Sequence, residues 1–382
     1  MVVFAIILYF MMTNEDLQSK TISFLCFPLI VGVVLIHSHF STVVINGVDL
    51  IEGGHFPAYT LISYLFSDIF SRIAVPLFFF ISGFLFFYKA GSFTKQAYCQ
   101  KLKKRARTIL VPYLLWNLLV VLFFFLSQSF FSGLMSGKSK LICDYDISDW
   151  LWTFWNTDMI NSPTTITADK GGSPICYQFW FIRDLMVVML FSPLVYFLVK
   201  KLRQYAVVCL GVLWIFGCWF EVADISLTAF FFFSAGAYFS IHGKNFVEIM
   251  KPFLAITAML YILIAVIELC FRGEAWCPYL HNMGILVGIV LAVSLSAHFL
   301  GRGIWHTNTF LSDSSFFIYA YHGMLLAFGI RFFFKMMPPH TDGIALALYV
   351  FFPLITILVG LLFYYLLKKY LPVVTSVITG GR

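Results

Sequence analysis

The stretch ISFLCFPLIVGVVLIHSHF, Ile22 to Phe40, carries no ionisable charge until His37 and His39 near its end. Its uncharged part and flanks are about long enough to cross a hydrocarbon core roughly 30 Å thick as a helix. An imidazole at the end of such a helix has two readings. It is an interfacial group among lipid headgroups, or it is functional, because ionisable groups near a membrane core are costly.

The composition extends this reading to the whole chain. Of 382 residues, 61% are hydrophobic and only 11% are charged, against about 25% charged in a soluble domain. With a mean hydropathy of +0.90, this is a polytopic membrane protein. The apolar runs are long and continuous rather than alternating, so the expected class is all-α, a helical bundle and not a barrel.

Ten transmembrane helices are expected, near residues 22–40, 70–88, 109–131, 177–199, 205–221, 226–241, 250–270, 280–300, 310–331 and 344–367. Charge alternates between the connections. Lys89, Lys95, Lys101, Lys103, Lys104, Arg105 and Arg107 follow the second stretch with no acid among them, and Lys200, Lys201, Arg203, Lys244, Lys251, Arg302, Lys368 and Lys369 fall on the same side. The other side holds Asp49, Glu52 and Asp68, then Asp144, Asp146, Asp149, Asp158 and Asp169, then Glu221 and Asp224. Arg331 and Lys335 run against the pattern. The positive-inside rule puts both termini in the cytoplasm and His37 at the outer end of the first helix. The net charge of +7 is thereby a topology signal, with no nucleic acid implied.

The expected organisation is an N-terminal segment 1–20, a membrane domain 21–370 with one long outer loop 132–176, and a tail 371–382. Met1 to Met12 is apolar but too short to span, so Met11 or Met12 is the expected true start, with a short interfacial segment as the alternative. The long loop carries Trp150, Trp152 and Trp155 and the turn Gly171-Gly172-Ser173-Pro174. A loop of that length is expected to fold over the outer mouth of the bundle, its tryptophans contacting a sugar or lying in the interface. Cys143 and Cys176 share the loop and could pair in an oxidising space. No spacing of His or Cys suggests a metal. No internal repeat is visible, which argues against inverted-repeat transporters.

Four further runs carry more specific information: PLFFFISGFLFF (Pro76 to Phe87), KRARTILVPYLLW (Lys104 to Trp116), FWFIRDL (Phe179 to Leu185) and FFIYAYHG (Phe316 to Gly323). In this order, with the histidine of the first helix, they resemble the acyltransferase-3 family of integral membrane O-acyltransferases. The resemblance covers nearly all of the chain from Leu17 to Tyr370. It implies transfer of an acyl group, usually acetyl from cytoplasmic acetyl-CoA, to a hydroxyl of an envelope polysaccharide or lipid-linked glycan. It also implies a multi-pass protein of the inner (plasma) membrane, in contact with its lipids.

The residues, read beside this resemblance, suggest roles. His37 is the expected catalytic base, since a sugar hydroxyl is a poor nucleophile until a base takes its proton, and imidazole titrates near the working pH. His322, deep in the ninth helix, is expected to be catalytic, with a hydrogen-bonded packing role as the alternative. Arg183 either pairs with Asp184 or snorkels to the interface, or it binds acceptor or steadies an oxyanion. Arg105 and Arg107 are expected to meet the phosphates of coenzyme A through forked guanidinium donors, while the neighbouring lysines anchor topology. Glu268 is a lesser candidate, and Ser82-Gly83 reads as small-residue helix packing.

The sequence departs from the family at one place. Where an arginine is usual, eleven residues before the histidine, this chain has Cys26, on the same helix face as His37 and about 16 Å from it. A thiol cannot replace a guanidinium, so Lys20 or another cation substitutes, the activity is weakened, or the donor is handled differently. Two rival functions stay open: a transporter or exporter of a polar or lipid-linked solute, and a non-catalytic partner in envelope assembly. Within the enzyme reading, direct reach of the thioester and a covalent relay are both open.

Overall fold

The structure, a computed structural model, describes residues 12–381 except 46, 90–92, 131–139, 162–171 and 219–224. The first eleven residues and the expected features at Asp169, Gly171, Glu221 and Asp224 lie outside the described residues.

The chain is a bundle of helices. Among the described residues, seven are long and apolar enough to cross a membrane: α1 (Asn14–Ser38), α2 (Pro57–Phe87), α3 (Lys95–Phe130), α9 (Phe246–Cys270), α10 (Cys277–Gly301), α11 (Thr309–Met336) and α12 (Asp342–Tyr370). Between them lie the short α4 (Ile147–Thr153), the pair α5 (Tyr177–Leu190) and α6 (Ser192–Leu202), α7 (Gln204–Ile215) and α8 (Leu227–Ile241). The pair α5–α6 bends by 64° at Phe191 and counts as one broken span at most. Each of the ten expected stretches thus falls on helix, but the fourth is broken and the fifth and sixth are short. The bend sits just before Ser192-Pro193, where a proline in the first turn starts a new helix rather than continuing the old one.

Polar side chains open the helices. Thr13, Thr94, Ser226, Asn245, Asn308 and Thr341 each accept a backbone N–H of the first turn, which leaves fewer orphan donors at the apolar ends. Both α2 and α3 are interrupted by π-helical turns, at Tyr64–Phe70 and Ala106–Leu110. Such turns rotate the side chains that follow and recur at functional sites.

Contacts fix which helix ends share a side. Lys89, after α2, lies 3.5 Å from Glu15 at the start of α1, and Lys101 Nζ donates to the Phe86 carbonyl at 2.6 Å. The beginnings of α1 and α3 and the end of α2 therefore form one end, the basic end. At the opposite end, the Tyr59 hydroxyl, near the start of α2, donates to the Phe40 carbonyl just after α1, at 2.6 Å.

A close helix crossing joins α2 to α8. A Cβ on Gly83 would stand 2.0 Å from the Phe233 carbonyl oxygen, and one on Gly236 would stand 1.9 Å from that of Phe80. The small-residue packing expected at Ser82-Gly83 is this contact, in which missing side chains let two backbones touch.

The described parts of the long loop fold over the end opposite the basic one. Asp146 and Asp149 form a capping box on α4, and Lys140 pairs with Asp149. Lys140 and the Asp146 amide hold the Asp149 carboxyl below its ordinary range. A lowered carboxyl contributes its stabilisation in full above the unfolded value near about pH 4, and loses it only as pH falls through the lowered one. Cys143 and Cys176 do not pair: Cys143 is exposed, while Cys176 is buried, with its amide donating to Asn117 Oδ1 at 3.1 Å. The tail holds a helix, α13 (Pro372–Thr379), that turns back onto α3, where Trp116 Nε1 donates to the Ile378 carbonyl at 3.0 Å.

Substituting Gly83→Leu or Gly236→Leu will force α2 and α8 apart. The expected cost is about 1–3 kcal/mol, read as a lower melting temperature in detergent and reduced accumulation in membranes. Gly329→Ala, which meets no atom within 4 Å, serves as the neutral control. An unchanged melting temperature for both leucine variants would contradict the crossing.

Candidate functional site

His37 lies in the last turn of α1, 23 residues and about 35 Å along the helix from Asn14. The π-helical turn of α2 holds this part of α1: Ser67 Oγ donates to the Leu35 carbonyl at 2.7 Å and lies 2.8 Å from the Tyr349 hydroxyl of α12. The His37 ring is half-buried and stands 5.3 Å, centroid to centroid, from His322 of α11. It also meets the Tyr177 ring edge-on at 5.1 Å.

His322 has no solvent exposure. Its Nδ1 stands 2.7 Å from the Tyr319 carbonyl and 3.2 Å from that of Ile318, so that nitrogen carries the proton and donates. Nε2 of the neutral ring is then a lone pair, and it has no hydrogen-bond partner among the described residues.

The run Tyr319 to Gly323 also seats the first residues of α5. The Tyr319 hydroxyl donates to the Gln178 carbonyl at 2.5 Å, Gln178 Nε2 donates to the Ala320 carbonyl at 2.8 Å, and Phe179 stacks on Tyr319 at 5.5 Å. A Cβ on Gly323 would come within 2.2 Å of Gln178 Oε1, so glycine makes room for that docking. One helical turn therefore carries His322 and holds the segment that brings Tyr177 to His37.

His37 lines two cavities. One, about 780 Å³, runs past Tyr319 and Trp180 to Asp68, Arg72, Glu268 and His281. The other, about 720 Å³, lies among Phe40, Val43, Tyr177, Ile330 and Phe334, with His39 in its wall. A group bound in either cavity has access to the His37 ring. His39, by contrast, faces Asp68 at 3.9 Å and stacks near Tyr59.

The other expected site residues are not brought to this pair. Arg183 is 2% exposed and its guanidinium is engaged within the protein: Nε and Nη2 each donate to Asp184 Oδ1 at 3.0 Å, while Nη1 donates to the carbonyls of Trp155 at 2.8 Å and Gly172 at 2.6 Å. It ties the loop to α5 and lines neither cavity. Arg105 and Arg107 stand at the basic end. Arg105 is half-buried, Arg107 is exposed, and neither makes a hydrogen bond or ion pair among the described residues. Cys26 donates back to the Ile22 carbonyl at 3.3 Å, and Lys20 is exposed. Among the described residues no group of three His, Cys, Asp or Glu is placed to hold a metal.

Sequence reading did not single out Tyr177, Gln178, Arg72 or His281. Tyr177 and Gln178 immediately precede the FWFIRDL run, which was the one available signal. His281 stands in no motif, and only tertiary contact pairs it with Glu268.

The family model described as an acyltransferase domain matches residues 28–367. The chain is 27% identical over 336 residues to the succinoglycan biosynthesis protein ExoH of Rhizobium meliloti (strain 1021), a match covering 81% of this chain and 80% of the relative. No solved structure matches it. The family match spans every element that builds the histidine pair, and this multi-pass membrane protein therefore belongs to the acyltransferase-3 family of acyltransferases.

Proposed function

We propose that the protein transfers an acyl group from a coenzyme A thioester to a hydroxyl of an envelope polysaccharide or lipid-linked glycan, with acetyl-CoA as donor. The observation that carries this reading is the histidine pair: His37 in the wall of two cavities, beside a buried His322 whose Nε2 is left unpaired. The relative named for succinoglycan biosynthesis supports a polysaccharide acceptor.

In this mechanism the imidazole of His37 takes the proton of the acceptor hydroxyl as the oxygen attacks the thioester carbonyl carbon. The tetrahedral carbon then collapses with cleavage of the C–S bond. The coenzyme A thiolate leaves and takes up the proton, giving an ester and a free thiol. His322, its Nδ1 fixed by the Tyr319 carbonyl, offers a second basic nitrogen beside the first and orients it. Arg183 acts indirectly, by holding the loop over the site.

Coenzyme A would bind at the basic end through Arg105 and Arg107, whose guanidinium groups have no protein partner among the described residues. The positive-inside rule turns that end toward the cytoplasm of a cell whose inner membrane the bundle spans. The loop end then faces the acceptor, and the thioester arm of coenzyme A must reach from the basic end to His37.

The test compares surface glycans from cells lacking the gene with those from cells complemented by wild type or by variants, scoring base-labile O-acyl groups by mass spectrometry and proton NMR. His37→Ala should lower acyl incorporation about 10²–10⁴-fold at equal membrane levels. His322→Ala should lower it less and shift the pH profile. If no O-acyl group depends on the gene, the acyl-transfer reading falls and transport takes its place.

Donor binding has a separate check. In purified protein, Arg105→Ala with Arg107→Ala should raise the KM for acetyl-CoA by about 10–100-fold with little change in kcat, the scale of charge-assisted hydrogen bonds. An unchanged KM would remove these residues from the donor site and leave them as topology anchors.

A further inference from the structure

The larger cavity beside His37 has a polar far wall that the histidine pair does not use. Glu268 of α9 is 3% exposed, yet it lines this cavity. Its Oε1 accepts from the Tyr64 hydroxyl at 3.1 Å and from His281 Nδ1 at 2.8 Å. Its Oε2 has no partner among the described residues. Because His281 donates from Nδ1, the Nε2 of its neutral ring is a lone pair, and the side chain is 25% exposed in the same cavity. Asp68, also in the wall, has its charge met by Arg72 at 2.7 Å.

The second carboxylate oxygen and the imidazole lone pair are both open to a ligand in this wall. Both are acceptors, and because Nδ1 and Nε2 point away from each other across the ring, they face different parts of the cavity. The ligand that suits them presents two separate hydrogen-bond donors and no negative charge, since an anion would stand against Glu268. Hydroxyls spaced around a sugar have that form. The cavity's other walls include Trp180 and Trp214, and the Trp214 N–H is already given to Thr228 Oγ1 at 3.0 Å, so its ring rather than its polar edge is available. Aromatic faces pack well against the apolar face of a pyranose.

We infer that this cavity is the acceptor-sugar site and that Glu268 and His281 read two hydroxyls of a neutral sugar there, placing a further hydroxyl at His37. The inference rests on the acyl-transfer reading above and adds the chemical class of the acceptor unit and the residues that select it. Glu268 and His281 are specificity-determining groups, and proton removal stays with His37.

The experiment uses the full chain purified in detergent. Oligosaccharides are released by mild acid from alkali-deacylated surface polysaccharide of the host strain lacking the gene, and separated by anion exchange into neutral and anionic pools. Binding is read by tryptophan fluorescence without acetyl-CoA, and turnover is read with it. Wild type should bind and acylate the neutral pool. Glu268→Gln and His281→Ala should each weaken saccharide binding and raise acceptor KM at least tenfold, with kcat within twofold and the KM for acetyl-CoA unchanged. Tyr64→Phe, which removes one partner of Glu268, should show a smaller effect in the same direction; if Glu268→Gln does not survive purification, His281→Ala and Tyr64→Phe carry the comparison. Unchanged binding and KM in the variants, a loss confined to kcat, preference for the anionic pool, or no saccharide binding by wild type would each overturn the inference. Saccharide binding that depends on Glu268 without any acyl transfer would sustain the site while the acyl-transfer reading falls.

Discussion

A buried imidazole has two nitrogens to satisfy, and the bundle around His322 satisfies one. The Tyr319 carbonyl takes the Nδ1 proton, which fixes the tautomer, and Nε2 is left as an unpaired base in a site without solvent exposure. An unmet buried acceptor costs about 1–3 kcal/mol, so the surrounding structure must hold the ring where it is. That holding is done by the same helical turn. Tyr319 and Gly323 seat Gln178 and Phe179, and through them Tyr177 reaches His37. A local loss of stability is thus tied to the contact between two imidazoles, which is where strain in a folded chain is expected to serve chemistry.

The bundle keeps its charges apart. Arg105 and Arg107, without partners among the described residues, stand at the basic end, and the histidines lie beside cavities near the loop end. Between them are apolar helices, and the close approach of α2 to α8 depends on two glycines. Arg183 belongs to a different class of charge. A guanidinium buried this deeply is stable only with its donors met, and Asp184 with two loop carbonyls meets them. The loop is thereby fastened to α5, the helix whose first residues form part of the site.

The larger cavity is lined by groups from eight helices spread along the sequence, and its polar far wall comes from α2, α9 and α10. The two oxygens of Glu268 differ: one is tied to Tyr64 and His281, and the other is left toward the cavity. Such an asymmetry between atoms of one side chain is a property of packing alone.

Membrane character and the positions of the apolar stretches were legible in the sequence, and His37 and His322 stood out there as candidates. Long apolar runs have no other home than a bilayer, and an ionisable group within one is conspicuous because it is costly. The ordered motifs identified the family for the same reason, since each interrupts an apolar background with residues that background does not need. The sequence could not tell that the fourth stretch bends by 64° or that Arg183 is spent on loop carbonyls. Nor could it tell that Cys176 is buried away from Cys143, or that Glu268 pairs with His281. Hydropathy reports whether a residue prefers lipid to water, and it carries no information about which residue of another helix lies opposite. The meeting of His37 with His322, 285 positions apart in the chain, was decided by the packing of α1 against α11.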